Sequence, residues 1–209
     1  MTTIPAHLVP SRSFKRAHYY TENIYSILDE ALVCTISFVM DNKPFSIPTA
    51  FVRYEDKIYI HGSVGSHFIR EIEKGLPVCI TVSLLDDLVI AKSAFHYSVN
   101  YRSVVIFATP EKIEEKEQKS DALKWLVEKI TPNSWDSLRP IRDNEIKKTT
   151  ILAFSLEEAS AKIRSGQVIN EDEDNHLPIW SGLIPLRNSR LAPVPDETSL
   201  QLPLPEYLK

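Results

Sequence analysis

The apolar positions of this chain change period several times, and each change predicts an element. Ile24, Ile27, Leu28 and Leu32 recur at helical spacing, so a helix is expected from near Thr21 to near Ala31. Leu32 to Met40 is then rich in β-branched and aromatic residues and reads as a strand, closed by the turn residues Asp41-Asn42-Lys43. Pro44 to Tyr54 reads as a second strand, in which Pro48 marks an edge or a bulge because it cannot donate to a ladder. After Glu55-Asp56-Lys57 the alternation of Ile58, Tyr59 and Ile60 predicts a third strand ending at His61. A helix follows Ser66 and stops at Lys74-Gly75, a basic residue and then a glycine.

The pattern continues with strands at Pro77 to Leu85, Leu88 to Lys92 and Tyr101 to Thr109, with Asp86-Asp87 as a turn. Glu111 to Lys119 is strongly charged and reads as solvated, and Asp121 to Ile130 as a helix. A short helix is expected at Asp143 to Lys148, strands at Thr149 to Leu156 and Ala159 to Ile163, an acidic loop at Asn170 to Asn175, and a last strand at Ile179 to Leu186. Short strands joined by tight turns, without βαβ alternation or internal repeat, favour a mainly β antiparallel barrel with added helices over a doubly wound sheet.

Composition narrows the class. The chain has 209 residues, a net charge of -4 and a pI near 5.9, which argues against a nucleic-acid partner. No apolar run is long enough to cross a bilayer, and residues 1–13 lack the apolar core of a signal peptide, so a cytoplasmic protein is expected. Cys34 and Cys79 each sit in an apolar run and read as buried free thiols. Residues 1–15 read as a flexible arm, residues 16–186 as the folded domain, and residues 187–209, dense in proline, as an extended tail.

Two blocks carry candidate chemistry. The run His61-Gly62-Ser63-Val64-Gly65-Ser66-His67-Phe68-Ile69-Arg70 leads from a strand through a hydroxyl-bearing turn into a helix. Its glycines would let backbone approach an anion, Ser63 and Ser66 offer hydroxyls, and Arg70 lies one helical turn beyond Ser66. His67 at a helix start is a cation facing the positive end of the dipole, which a bound phosphate would relieve. The bland alternative for the whole turn is helix capping. The second block, Ser93 to Ser103, crowds His96, Asn100, Arg102 and Ser103 around an apolar strand, as a site for a polar-edged planar ring would, or a solvated loop with a salt-bridged arginine. The acidic run Glu171 to Asp174 lacks the spacing of a calcium loop, so no metal is expected there.

Together with Ile47-Pro48-Thr49, Val78 to Val82 and Pro178-Ile179-Trp180-Ser181-Gly182, these blocks resemble the pyridoxamine 5′-phosphate oxidase-related flavoproteins, in the flavin-nucleotide-binding branch near the nitroimidazole-resistance proteins. The resemblance runs from about Arg16 to Pro185. It implies a six-stranded antiparallel split β-barrel of Greek-key type and a homodimer with FMN sites at the subunit interface. It also implies that the segment His61 to Arg70 holds the FMN phosphate, through Gly62, Ser63, Ser66, His67 and Arg70. Ile47, Pro48, Thr49 and Thr81 would lie against the ring. Asn100, Arg102, Ser103 and Trp180 are further cofactor candidates, and His61 and His96 are the candidate catalytic groups. Ser66-His67-Phe68 stands where the oxidase proper has a Ser-Arg-Lys run, and that enzyme's C-terminal Arg and His motif is not evident. The expected function is therefore an FMN-dependent oxidoreductase acting on a small molecule other than pyridoxamine phosphate. The alternative is a flavin or haem carrier without turnover, with His61 or His96 as an axial ligand.

Overall fold

The structure is a computed structural model, and it describes residues 4–9 and 12–209. In chain order the elements are β1 (Ala17–His18), α1 (Thr21–Glu30), β2 (Val33–Met40), β3 (Lys43–Tyr54), β4 (Lys57–Ser63), α2 (His67–Ile72), β5 (Val78–Ile90), β6 (Ser98–Ala108), β7 (Glu111–Ile113), α3 (Lys116–Ile130), α4 (Asp143–Lys147), β8 (Thr149–Ser155), β9 (Ala159–Arg164) and β10 (Gly182–Pro185). The architecture is mainly β, as the periodicity implied. Ten strands, rather than six, join one antiparallel hydrogen-bonded sheet, in the open order β1-β9-β6-β5-β2-β3-β4-β8-β7, with β10 added to β5.

Alternation along the central strands defines two faces. Cys34, Ile36 and Phe38 of β2, Ile58 and Ile60 of β4, Ile80 and Val82 of β5 and Val104 and Ile106 of β6 point into one core. Helix α1 seals that core with Ile24, Ile27 and Leu28. The opposite, outer face is covered at one end only. There α3 packs on β3 and β4, with Trp125 stacked on Tyr54 at 3.7 Å and edge-on to Tyr59 at 5.2 Å. Ile151 and Ala153 of β8 join this second, smaller cluster.

Three expectations change. Asp86-Asp87 does not end a strand: β5 runs through it, and the register with β6 slips between Leu85 and Asp87. That slip is a β-bulge, which absorbs one residue without breaking the ladder. The charged stretch after Glu111 is not wholly solvated, since β7 buries Ile113 against β8 and α3 begins at Lys116. The acidic run at Asp172–Asp174 is a short 3-10 turn, tied down by Lys92, whose ammonium donates to the carbonyls of Asp174, Asn175 and Leu177 at 2.9–3.1 Å.

Candidate functional site

Strand β4 pairs with β3 only as far as Phe51↔Ile60, while β3 stays paired with β2 back to Met40↔Lys43. Beyond that point the two strands part, and Pro48 lies on the freed edge of β3. Its missing N–H costs nothing there. Helix α2 fills the split from the inside: Ile69 and Ile72 are buried, and Phe68 lies 5.8 Å from Phe38.

The turn from His61 to Arg70 sits at the mouth of this split. Ser66 caps α2, its hydroxyl accepting from the Ile69 N–H at 3.4 Å. The Ser63 hydroxyl accepts from the Gly65 N–H at 3.2 Å. Gly62 has a packing reason, since an added Cβ would lie 2.5 Å from Ile69 Cγ1. Both serine oxygens thus accept from backbone N–H groups, which leaves each hydroxyl hydrogen free to donate outward. Lys74 takes Glu71 at 2.7 Å and His67 stands 3.9 Å from the same carboxylate. Arg70 is exposed, and among the described residues its guanidinium has no hydrogen-bond or ion-pair partner. His61 is exposed on its outward side, yet protein packed around it lowers its imidazole pKa by desolvation, so the ring is neutral at neutral pH.

The uncovered half of the outer face is flat and lined with small side chains. The register places Pro48, Thr35 and Thr81 in one row across β3, β2 and β5, and Ser46, Ser37 and Cys79 in the next. His61, alternating with the buried Ile60, faces the same way as Tyr59. A cleft of about 1020 Å³ lies over the second row, walled by Phe38, Val39, Pro44, Phe45, Val78 and Phe107. The ring of His7 meets Phe107 edge-on at 4.9 Å, and its Nε2 binds Glu158 at 3.0 Å on the cleft rim.

The sequence-predicted residues divide between the two faces. Pro48, His61, Ser63, Thr81 and Ser103 lie on or beside the open outer face. Ile47 instead packs against the core, and Thr49, opposite the buried Cys34, turns inward, its hydroxyl on the Ala50 carbonyl. Strand alternation turns their side chains away from the open outer face.

Asn100 and Arg102 are engaged within the chain. Asn100 is only 2% exposed; its amide donates to Asp87 and to the Gly166 carbonyl and accepts from Arg164. Arg102 grips Glu30 with both terminal nitrogens and Asp86 with Nε and Nη2. Those two carboxylates raise its pKa further and take four of its five N–H donors, leaving one hydrogen of Nη1 without an acceptor among the described residues. Ser103 donates to the Lys162 carbonyl at 3.2 Å.

His96 binds Glu171 at 2.8 Å. Trp180 is exposed beside Gly182, which pairs with Ile90. Ile90 lies nine positions along β5 from Thr81, about 30 Å of strand, so within one chain His96 and Trp180 are remote from the Pro48–Thr35–Thr81 row. The residues missed are Thr35, Ser37 and Ser46. Thr35 and Ser37 were signalled as hydroxyls alternating with Cys34, Ile36 and Phe38 along β2, and Ser46 as a hydroxyl between Phe45 and Ile47 on β3.

Comparison with known proteins places this geometry. The profile of the pyridoxamine 5′-phosphate oxidase family matches residues 21–163. The chain belongs to that family. Among solved structures, the flavocytochrome Anf3 from Azotobacter vinelandii is 36% identical, covering 98% of this chain and 95% of its own, with a TM-score of 0.91. The FAD and heme binding protein from Mycobacterium smegmatis is 31% identical, covering 92% and 95%, with a TM-score of 0.88. A search of curated protein sequences finds no match. As a member of this flavin-binding family the chain shares its split-barrel-like fold, and among the described residues no helix is long and apolar enough to cross a membrane.

Proposed function

We propose that this protein is a flavin-dependent redox protein of the flavocytochrome kind, working as a homodimer. The observation that carries the proposal is near full-length similarity, at 36% and 31% identity, to two proteins named for flavin and haem together. The site's chemistry agrees with it. The row Pro48–Thr35–Thr81 offers a flat surface of small side chains for a planar ring, and the unpartnered Arg70 offers a fixed positive charge for its phosphate. A bound flavin supplies the electron transfer, and the protein positions it. His61, held neutral, can give or take a proton at the ring edge.

The family resemblance implies FMN as the flavin, whereas the relatives point elsewhere. The flavin is proposed to be FAD, because the Mycobacterium smegmatis relative is named for FAD. The oxidoreductase role is preferred to a passive carrier, because two redox groups in one protein suit electron transfer between them.

Haem also fits residues that are present. The apolar cleft beside the platform is walled by three phenylalanines, and His7 stands at its rim with one ring nitrogen uncommitted. A flat hydrophobic slot next to an imidazole is the chemistry haem requires. The cleft lies one strand repeat from the Pro48 row, about 7 Å along β2.

The test is the absorption spectrum of the purified protein, with chromatography of the flavin released on heating. Flavin bands with a haem Soret band, and FAD in the supernatant, are expected. A colourless protein that takes up neither group would end the proposal. Arg70→Ala should weaken flavin binding about tenfold or more. Arg139→Ala should not, because Arg139 is held by Glu145.

A further inference from the structure

A second site is built at the far edge of the sheet, where β1 pairs with β9 and three strands separate it from β3. A pocket of about 570 Å³ opens there, lined by Lys15, Arg16, His18, Arg164, Gly166 and Ile169 among others. Among the described residues none of Lys15, Arg16 and Arg164 forms an ion pair, in a chain whose net charge is -4. Crowding uncompensated cations into one concavity is unfavourable unless an anion joins them.

The pocket is also supported from beneath. Arg164 is partly buried, and its Nη1 donates to Asn100 Oδ1 at 2.5 Å and to the Val99 carbonyl. Its Nε and Nη2 have no acceptor among the described residues. The same Asn100 donates to the Gly166 carbonyl at 3.0 Å. One buried amide therefore fixes both the arginine and the opposite wall. Asn100, itself locked by Asp87 at 2.8 Å, acts as a positioning residue.

The remaining wall is apolar. Ile169 is 67% exposed without a partner, and Val168 and Ile163 stand beside it. We infer that the pocket between β1 and the segment after β9 binds a nucleoside diphosphate, the phosphates on Arg16, Lys15 and Arg164 and the base against Ile169. A planar guanidinium fork matches phosphate oxygens, and the pocket volume is of the size that encloses a small ligand. The inference does not rest on the flavin reading, because none of these residues belongs to the Pro48–Thr81 platform or to the turn ending at Arg70.

The experiment is calorimetric titration of the purified protein, as isolated, with ADP, adenosine and inorganic phosphate, flavin content being read from absorbance in the same samples. One ADP per chain is expected, bound more tightly than either half-ligand and more weakly as salt rises. Arg16→Gln and Arg164→Gln should each cost roughly ten- to hundredfold in ADP affinity. Lys15→Gln, at an exposed position, should lower affinity without affecting the fold. Lys124→Gln, on the exposed face of α3, should leave ADP binding unchanged. Absence of ADP binding would overturn the inference. So would equal affinity for phosphate alone, or ADP binding lost in Arg70→Ala but kept in Arg16→Gln. Loss of flavin with ADP binding intact would count against the flavin reading only.

Discussion

Gly62 is glycine because Ile69 fills the space where a side chain would begin. A Cβ there would meet Ile69 Cγ1 at 2.5 Å and Cδ1 at 2.8 Å, so α2 would have to lift off β4. Gly65, three residues on, meets nothing nearer than the Ser63 hydroxyl at 3.6 Å. Gly62→Ala should therefore lower stability by about 1–3 kcal/mol, as overpacking generally does. Gly65→Ala should cost less than about 1 kcal/mol. The urea midpoints of the two variants check this. Because Ile69 is also the residue whose N–H Ser66 caps, Gly62→Ala should loosen the turn and lower flavin affinity together with stability. At this same scale Asn100 and Arg102 show how a polar residue in a strand can be misread. Their types suit a ligand, but their partners Asp87, Gly166, Asp86 and Glu30 engage them, and Glu30 lies far away in sequence.

At its C-terminal end helix α3 is tied to α1 and β3 by the side chain of Lys129. Lys129 donates to the Leu28 carbonyl of α1 at 2.8 Å and sits 3.7 Å above the Phe51 ring. Burial pushes its ammonium down to about 8, since the charge has lost more water than Asp29 restores. A lowered lysine pKa means that the folded state sheds its proton first. Below about pH 8 both states are protonated and folding bears the whole burial cost. Between about pH 8 and pH 10 the unfolded chain binds more protons, and stability rises with pH. Cys34, pushed up to about 12, works in the opposite direction from about pH 9. The measurement is therefore a difference: the stability of the protein relative to Lys129→Met should grow from pH 8 to pH 10 in denaturation at several pH values. A flat difference would show that Lys129 is solvated. Elements of this kind were legible where local pattern and tertiary demand agree. Ile24, Ile27 and Leu28 of the α1 stripe, the Asp41-Asn42 turn with both residues at positive φ, and Gly75 at φ +87 lie where the sequence implied, while Leu32 falls beyond the helix and is exposed. They were illegible where a distant partner overrides a local signal. Asp86-Asp87 carries turn chemistry, yet Arg102 of β6 pairs with Asp86, the Asn100 amide donates to Asp87, and the strand is held through both.

The whole molecule leaves one face of its sheet half bare. Helix α3 covers Val52, Tyr54 and Tyr59, and past Pro48 the same face shows Thr35, Ser37, Thr81 and Ser83, flanked by Val33 at 53% and Val39 at 60% exposure. A face of small hydroxyls with an apolar margin is poorly suited to water alone and well suited to a flat ligand pressed between two copies. If the proposed dimer closes over this face, one substitution should report on both subunit contact and cofactor. Thr81→Arg adds a long cation to the centre of the row, where a facing partner and a ring would each exclude it. Light scattering should then give a monomer, and the flavin absorbance should fall in the same sample. Lys124→Glu on α3 changes charge outside the face and should leave mass and colour unchanged. If Thr81→Arg remained dimeric but lost colour, the platform would hold the flavin away from the interface, and the reverse pattern would place the subunit contact here and the flavin elsewhere. Retention of both would remove this face from the function altogether, because no protein could keep a ring and a partner against a surface that now carries a buried, unpaired guanidinium.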